Sequence, residues 1–116
     1  MVMDRIRGRQ ILERVDIGQA NFLAPNTETL AGTKTLTITD KRVQFLDPDG
    51  SHRNVDLPAE ASSAGLMFII CNTAGGAENL VIRNDAASTV ATISQNEMGM
   101  AICDGTTWKA GMMPQS

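Results

Sequence analysis

From residue 29 onward, apolar and polar residues alternate along short segments of the chain. In TKTLTITD, residues 33–40, Leu36 and Ile38 fall on one face and the threonines fall on the other. The segments RVQFLD and RNVDL continue the same two-residue period. Alternation of this kind, in residues that favour extended backbone, predicts a series of half-buried β-strands.

The segment LMFIIC, residues 66–71, is apolar at every position instead of alternating. This composition predicts a central strand that is covered on both faces. LVIRN, TVATI, MAICD and WKAGM predict further strands, and NTAGGAEN predicts a hairpin loop. The segment DPDG, residues 47–50, predicts a tight turn, because Pro48 fixes φ and Gly50 tolerates positive φ.

Short strands separated by regular turn signals predict an all-β fold, a small antiparallel β-sandwich or barrel. Alternation alone does not separate these two architectures. The β-domain is predicted to cover residues 29–116. Residues 1–28 are predicted to form an extended N-terminal arm with at most one short helix, since Gly8, Gly18 and Pro25 interrupt helical spacing.

Composition limits the partners that such a domain can have. A chain of 116 residues that is 42% apolar is long enough for one folded domain. Aromatic residues make up only 3%, so few side chains could stack on single-stranded nucleic acid. A net charge of −3 gives no general attraction to phosphate backbones. We therefore expect no nucleic-acid partner.

The charge is unevenly distributed along the chain. The first fourteen residues have a local balance of +2, because two acidic residues stand among four arginines, Arg5, Arg7, Arg9 and Arg14. The remainder carries −5. A basic arm joined to an acidic domain predicts a docking segment, and a solvated terminus is the alternative.

The sequence predicts a protein that is made in a reducing cytoplasm and does not enter membranes. Cys71 and Cys103 match neither a disulfide framework nor a zinc site, which favours free thiols. The charged start lacks the apolar region of a signal peptide. No apolar run approaches the roughly 18 residues that a membrane span needs.

Candidate catalytic chemistry centres on Cys71, which precedes the pair Gly75 and Gly76. A catalytic cysteine needs a base to activate it, and the one histidine, His52, follows a distant turn. The glycine pair matches no phosphate-binding motif, and a strand follows it where a helix would be needed. The sequence therefore predicts no enzyme and no cofactor.

The turn DPDGSHRN has the alternating oxygens of some calcium loops, in Asp47, Asp49 and Ser51. The twelfth position from Asp47 is Pro58, where a bidentate glutamate would be required. A plain turn without a metal is therefore the favoured interpretation.

Three apolar residues near the C-terminus are candidates for contact. Trp108 is predicted to be a core or subunit-interface anchor, with stacking on a sugar as the alternative. Met98 and Met100 are predicted to share a strand face with Ile102. Whether this face belongs to the core or to a subunit interface stays open.

Three successive segments resemble the β-domain of small virion proteins of tailed bacteriophages, namely capsid decoration (cement) proteins and related head or tail fibre modules. The segments are TLTITDKRVQFLDPDGSHRNVDLP, AGLMFIICNTAGGAENLVIRND and TVATISQNEMGMAICDGTTWK, within about residues 29–110. The resemblance implies a homotrimer bound to the major capsid protein on the outer surface of a phage head. It transfers no catalytic residues.

The function expected from these features is structural. In this hypothesis a trimeric decoration protein stabilises contacts between capsid subunits, and the four arginines of the arm contact the shell. The alternative is a fibre or tail-associated domain that recognises a host surface glycan through Trp108 and polar loops.

Overall fold

A five-stranded sheet and a four-stranded sheet pack together in residues 24–113, the part of the chain that the computed structural model describes. The all-β prediction is confirmed. In this range the helical structure is limited to one 3₁₀ turn, Glu60–Ser62. Within the same residues, no helix has the length and hydropathy of a membrane span.

The strands of residues 24–113 are short and follow one another closely. In chain order they are β1 (Asn26–Thr29), β2 (Lys34–Thr35), β3 (Val43–Asp47), β4 (Arg53–Asp56), β5 (Met67–Asn72), β6 (Leu80–Arg83), β7 (Thr89–Ile93), β8 (Met98–Cys103) and β9 (Trp108–Met113). The first sheet has the order β1-β3-β5-β8-β9, and the second has the order β2-β4-β6-β7.

Strands β1 to β6 alternate between the two sheets, so the chain winds around a common core. Each winding adds one strand to each sheet in the same direction, and the pairs β1–β3, β3–β5, β2–β4 and β4–β6 are all parallel. Antiparallel pairing appears only after β6 within the described range, in β6–β7, β5–β8 and β8–β9. The prediction of antiparallel sheets is therefore wrong for the first six strands. Alternation of apolar and polar residues determines which face of the sheet a side chain takes, but it does not determine the direction of the neighbouring strand.

Two local predictions are also wrong. The segment NTAGGAEN crosses from β5 in one sheet to β6 in the other, so it is not a hairpin loop. The predicted strand in residues 33–40 stops at Thr35, because Asp40 closes a turn by accepting hydrogen bonds from the Thr37 amide and hydroxyl. Leu36 is buried as expected, but Ile38 is 46% exposed.

The first sheet begins slightly before residue 29, where the sequence predicts the β-domain to start. Strand β1 begins at Asn26, so three residues assigned to the arm by sequence belong to the first sheet. The inner face of this first winding is polar. Asn26 donates to Gln44, and Lys34 forms a salt bridge with Glu28 across the two sheets at 2.8 Å. The hydrogen bond with Lys34 lowers the pKa of Glu28.

The core lies between the inner faces of the two sheets. Strands β3 and β5 alternate buried and half-buried residues, which matches the period of a pleated strand. The buried apolar side chains of the core cluster are Leu30, Leu36, Leu46, Val55, Leu57, Phe68, Ile70, Leu80, Ile82, Ile93, Ala101, Cys103 and Trp108. Burial of this aliphatic set supplies the main favourable free energy of folding.

Aspartate and asparagine side chains close the turns at several strand ends. Asp47 accepts a hydrogen bond from the Asp49 amide, and Asn84 accepts from the amides of Ala86 and Ser88 through its Oδ1 atom alone. After β8, Asp104 accepts from two backbone amides in the same way, which lowers the pKa of its carboxyl. These side chains replace backbone partners that the turns would otherwise lack.

Asn72, at the end of β5, is 2% exposed and uses both ends of its amide. Its Nδ2 group donates to the carbonyl oxygens of Glu78 and Ile93, both at 2.9 Å. Its Oδ1 atom accepts from the Ala74 amide at 2.9 Å. One side chain therefore joins the end of β5 to the crossing loop and to the end of β7.

Strand β8 contains a glycine that close packing requires. A Cβ atom on Gly99 would lie 2.7 Å from Ile93 Cδ1 and 2.9 Å from the carbonyl oxygen of Gly111. The second contact is with the backbone of β9, which is hydrogen-bonded to β8 and has little freedom to move. Any larger residue at position 99 therefore displaces the Ile93 side chain and the backbone of β9.

Candidate functional site

The four arginines proposed to contact a shell, Arg5, Arg7, Arg9 and Arg14, lie outside the described residues 24–113. Their role in docking stays a prediction. The candidate contact residues near the C-terminus, in contrast, all lie within the described range.

Trp108 is an anchor of the core. Its side chain is 3% exposed, its ring centroid lies 6.2 Å from that of Phe68, and its Nε1–H donates to the carbonyl oxygen of Pro58 at 2.8 Å. The hydrogen bond satisfies the indole, as buried tryptophans require. The buried ring leaves no face on which a sugar could stack.

Met98 and Met100 point away from the core on β8, on the face that they share with Ile102. The inward positions of β8 are Gly99, Ala101 and Cys103. Met98 is half-buried, whereas Met100 and Ile102 are 36% and 44% exposed. This strand face is therefore an outer face of the first sheet.

The same outer face continues across β3, β5 and β9. The register pairs Phe45 with Cys71, Cys71 with Met98 and Met98 with Met113, so these four side chains form one row. A second row runs through Val43, Ile69, Met100 and Gly111, and Met67 pairs with Ile102 beside it. We call the nine outward apolar side chains of these strands the apolar face: Val43, Phe45, Met67, Ile69, Cys71, Met98, Met100, Ile102 and Met113.

Charged residues stand at the margins of the apolar face and not within it. Lys109 pairs with Ile102 at one end of the strands, and Asp47 and Glu97 lie at the other. Strand β1 adds Thr27 and Thr29 at the sheet edge. The interior of the face therefore has no charged group to hydrate.

Two shallow depressions mark this side of the molecule. One, of about 350 Å³, lies over β8 and β9 between Met100, Ile102 and Met112, above the open position of Gly111. The other, of about 370 Å³, lies at the end of the face between Phe45, Cys71 and Met98. The outer surface of the first sheet therefore has both projections and recesses.

The outer face of the second sheet is polar by comparison. Asp56 and Arg83 form a bidentate ion pair across β4 and β6, with nitrogen–oxygen distances of 2.6 and 2.8 Å, and this pair raises the pKa of Arg83. The neighbouring row consists of Asn54, Val81 and Thr92. The two sheets thus share one apolar core but differ in their outer faces, and this contrast identifies the outer face of the first sheet as the candidate contact surface.

The thiols and the histidine are engaged in packing and loop contacts. Burial raises the pKa of the Cys71 thiol, which is the opposite of the activation that a nucleophilic cysteine requires. His52 accepts a hydrogen bond through Nδ1 from the Asn79 amide and so joins two loops. Cys103, the last residue of β8, is buried.

Acidic groups show one unfavourable pairing. A hydrogen bond with the Asp85 carboxyl and the charge of that group raise the pKa of Glu60. In the 47–50 turn, the Gly50 amide donates a hydrogen bond to the Glu78 carboxylate. Across residues 24–113, no three His, Cys, Asp or Glu side chains are close enough to hold a metal ion together.

The sequence indicated part of the apolar face and missed the rest. The shared face of Met98, Met100 and Ile102 was predicted, but the contribution of β3 and β5 was not. The available signal was LMFIIC, whose apolar residues predicted cover on both sides. The second sheet covers one side only, and within the described residues the other side is the apolar face.

Comparisons with protein-family models, with curated proteins and with solved structures found no match for this chain.

Proposed function

We propose that this chain is a structural virion protein, a homotrimeric decoration protein that binds the outside of a tailed-phage head and stabilises contacts between capsid subunits. The observation that carries the proposal is the contrast between the apolar outer face of the first sheet and the polar outer face of the second. A face of this kind suits permanent association with protein, since large exposed apolar patches mark interaction sites.

The chemistry of the described residues supports contact more than catalysis. The thiol on the apolar face has a raised pKa, and the histidine is bonded to a loop amide. The glycan-binding alternative relies on Trp108 and on polar loops, and Trp108 is buried in the core. A structural role agrees with the resemblance of residues 29–110 to phage virion domains.

Attachment to a shell would be strengthened by repetition. The basic first fourteen residues could contact an acidic capsid surface, and each trimer would present three such arms. Linked weak contacts reach a high net affinity because the second and third contacts form at high effective concentration. Attachment through charged arms should also weaken as salt screens the charges.

Co-sedimentation with phage heads that lack the protein tests this function. We expect the purified protein to pellet with such heads at saturating stoichiometry, and electron micrographs to show added density on the outer surface. A protein lacking residues 1–20 should bind less tightly. A matched full-length variant with Arg5, Arg7, Arg9 and Arg14 replaced by Gln separates the effect of charge from that of arm length.

Absence of binding to any head, with the protein found instead on tails or fibres, would contradict the decoration role. Unchanged head binding by both arm variants would contradict the role of the arm while leaving decoration intact.

A further inference from the structure

We propose that the apolar face is the surface through which copies of this chain associate with one another. The inference rests on the proposed function for the number of copies, which is three. The choice of surface comes from the structure alone, because the apolar residues continue in register across four neighbouring strands.

The charge distribution favours a second copy over a foreign partner. The charged residues around the apolar face lie at its margins, Asp47 and Glu97 at one end and Lys109 at the other, so the interior of the face offers no charge pattern by which a different protein could be recognised. Its complement is another surface without charge. Among the described residues, the outer face of the first sheet is the extended apolar surface, whereas that of the second sheet carries the Asp56–Arg83 ion pair. Contact between copies of one apolar face is typical of closed homo-oligomers.

The apolar face is large enough to be a functional contact surface. Four strands spaced about 4.8 Å apart, each with about five residues of 3.3 Å, cover roughly 320 Å² in projection. Patches of about 300–600 Å² are the largest on ordinary monomers and often mark functional contacts. Three side chains of the face are exposed and the other six are half-buried. Leaving this face in water throughout synthesis would favour aggregation, so a partner that is always present has an advantage, and another copy of the chain meets this condition.

The projections and recesses of the apolar face indicate how the side chains of one copy could pack against another copy. Met100 is 36% exposed, and its cross-strand neighbour Gly111 has no atom within 4 Å of its Cβ position. The depression of about 350 Å³ at this point can receive a projecting side chain. Methionine suits this role because its flexible thioether adapts to irregular recesses.

Measurement of the oligomeric mass tests this inference directly. We expect the full-length wild type to elute as a trimer in size-exclusion chromatography with light scattering. Met100→Lys and Ile102→Lys, singly and together, place charge within the face and should raise the apparent dissociation constant about 100-fold or more, as at other central interface positions. Val81→Lys on the outer face of the second sheet is the matched control and should keep the wild-type mass. Circular dichroism checks that every variant stays folded.

A second measurement follows the Cys71 thiol, which lies on the face beside Met98. Its reaction with a disulfide reagent at pH 8 should be slow in the wild type and in Val81→Lys, and clearly faster in the double variant. Cys71→Ser identifies the signal.

The results distinguish this inference from the proposed function. A monomeric wild type, or a folded double variant that keeps the wild-type mass, would overturn the inference. A dimer that the double variant dissociates would support the surface and contradict the proposed trimer. Dissociation by the double variant, in a protein that binds no phage head, would support the surface and contradict the decoration role.

Discussion

Replacement of Asn72 by aspartate should destabilise the domain strongly, although the two side chains have nearly the same shape. The wild-type amide donates two hydrogen bonds, to the carbonyl oxygens of Glu78 and Ile93. In Asn72→Asp an oxygen takes the place of the donor and faces these two carbonyl oxygens. The bond accepted from the Ala74 amide can persist.

The magnitude follows from the burial of the site. Each lost hydrogen bond costs about 1 kcal/mol, and a buried carbonyl left without a donor raises this cost to about 1–3 kcal/mol. Two such losses give roughly 3–5 kcal/mol at pH 7, a large part of the stability of about 5–15 kcal/mol typical of a domain. Burial and the facing carbonyls should also raise the pKa of the introduced carboxyl.

The sign of the pH dependence follows from that raised pKa. Above it, the folded state must hold an ionised carboxylate, so the destabilisation is greatest. As the pH falls through it, the carboxyl binds a proton and can donate one hydrogen bond, so the difference from the wild type should shrink. Urea unfolding followed by circular dichroism at pH 7 and pH 5, at equal protein concentrations, measures both effects.

Asn84→Asp is the matched control. Asn84 uses only its Oδ1 atom, which accepts from two backbone amides, and aspartate keeps an oxygen there. This variant should stay within about 0.5 kcal/mol of the wild type, as most surface changes do. If Asn72→Asp also stayed within that limit, or if the two variants lost equal stability, the role assigned to the Asn72 amide would be wrong.

Three further substitutions test other contacts. Gly99→Ala should cost about 1–3 kcal/mol in urea unfolding, since its Cβ meets a backbone oxygen, whereas Gly75→Ala, in open space, should be nearly neutral, and equal costs would refute the packing argument. Glu60→Gln should raise the thermal midpoint at pH 8, because the raised pKa means that the ionised form opposes folding; the gain should vanish by pH 4, and a gain that is independent of pH would contradict this cause. Trp108→Phe should cost about 1–3 kcal/mol by circular dichroism, because it leaves the Pro58 carbonyl without its donor, and an unchanged stability would show that water replaces the indole.

Much of the fold could be predicted from local pattern. The strands containing Phe45, Val55 and Trp108 were expected where they occur, and the 47–50 turn has Gly50 at positive φ as predicted. The direction of pairing could not be predicted, since the same alternation serves parallel and antiparallel neighbours. The crossing loops carry the same turn residues as hairpins, so NTAGGAEN did not reveal that it joins two sheets.

The candidate site was harder to predict for a related reason. In the sequence, an apolar residue that faces outward cannot be distinguished from one that faces the core. Ile70 is buried and Ile69 is not because the second sheet packs against only one side of β5. The sequence predicts Trp108 as a core or interface anchor, and the structure places it in the core. Its partners Phe68 and Pro58 could not be predicted, because they lie 40 and 50 residues earlier in the chain. Long-range packing, which a linear pattern does not contain, determines both.

The alternation of the first six strands between two sheets has a consequence for the length of the domain. Because each circuit of the chain adds one strand to both sheets in the same direction, an inserted segment of one full circuit would lengthen the stack without reversing any neighbouring pair. Related chains could therefore differ in height by whole circuits, as repeat proteins do, while the antiparallel strands β7, β8 and β9 continue to close the far end.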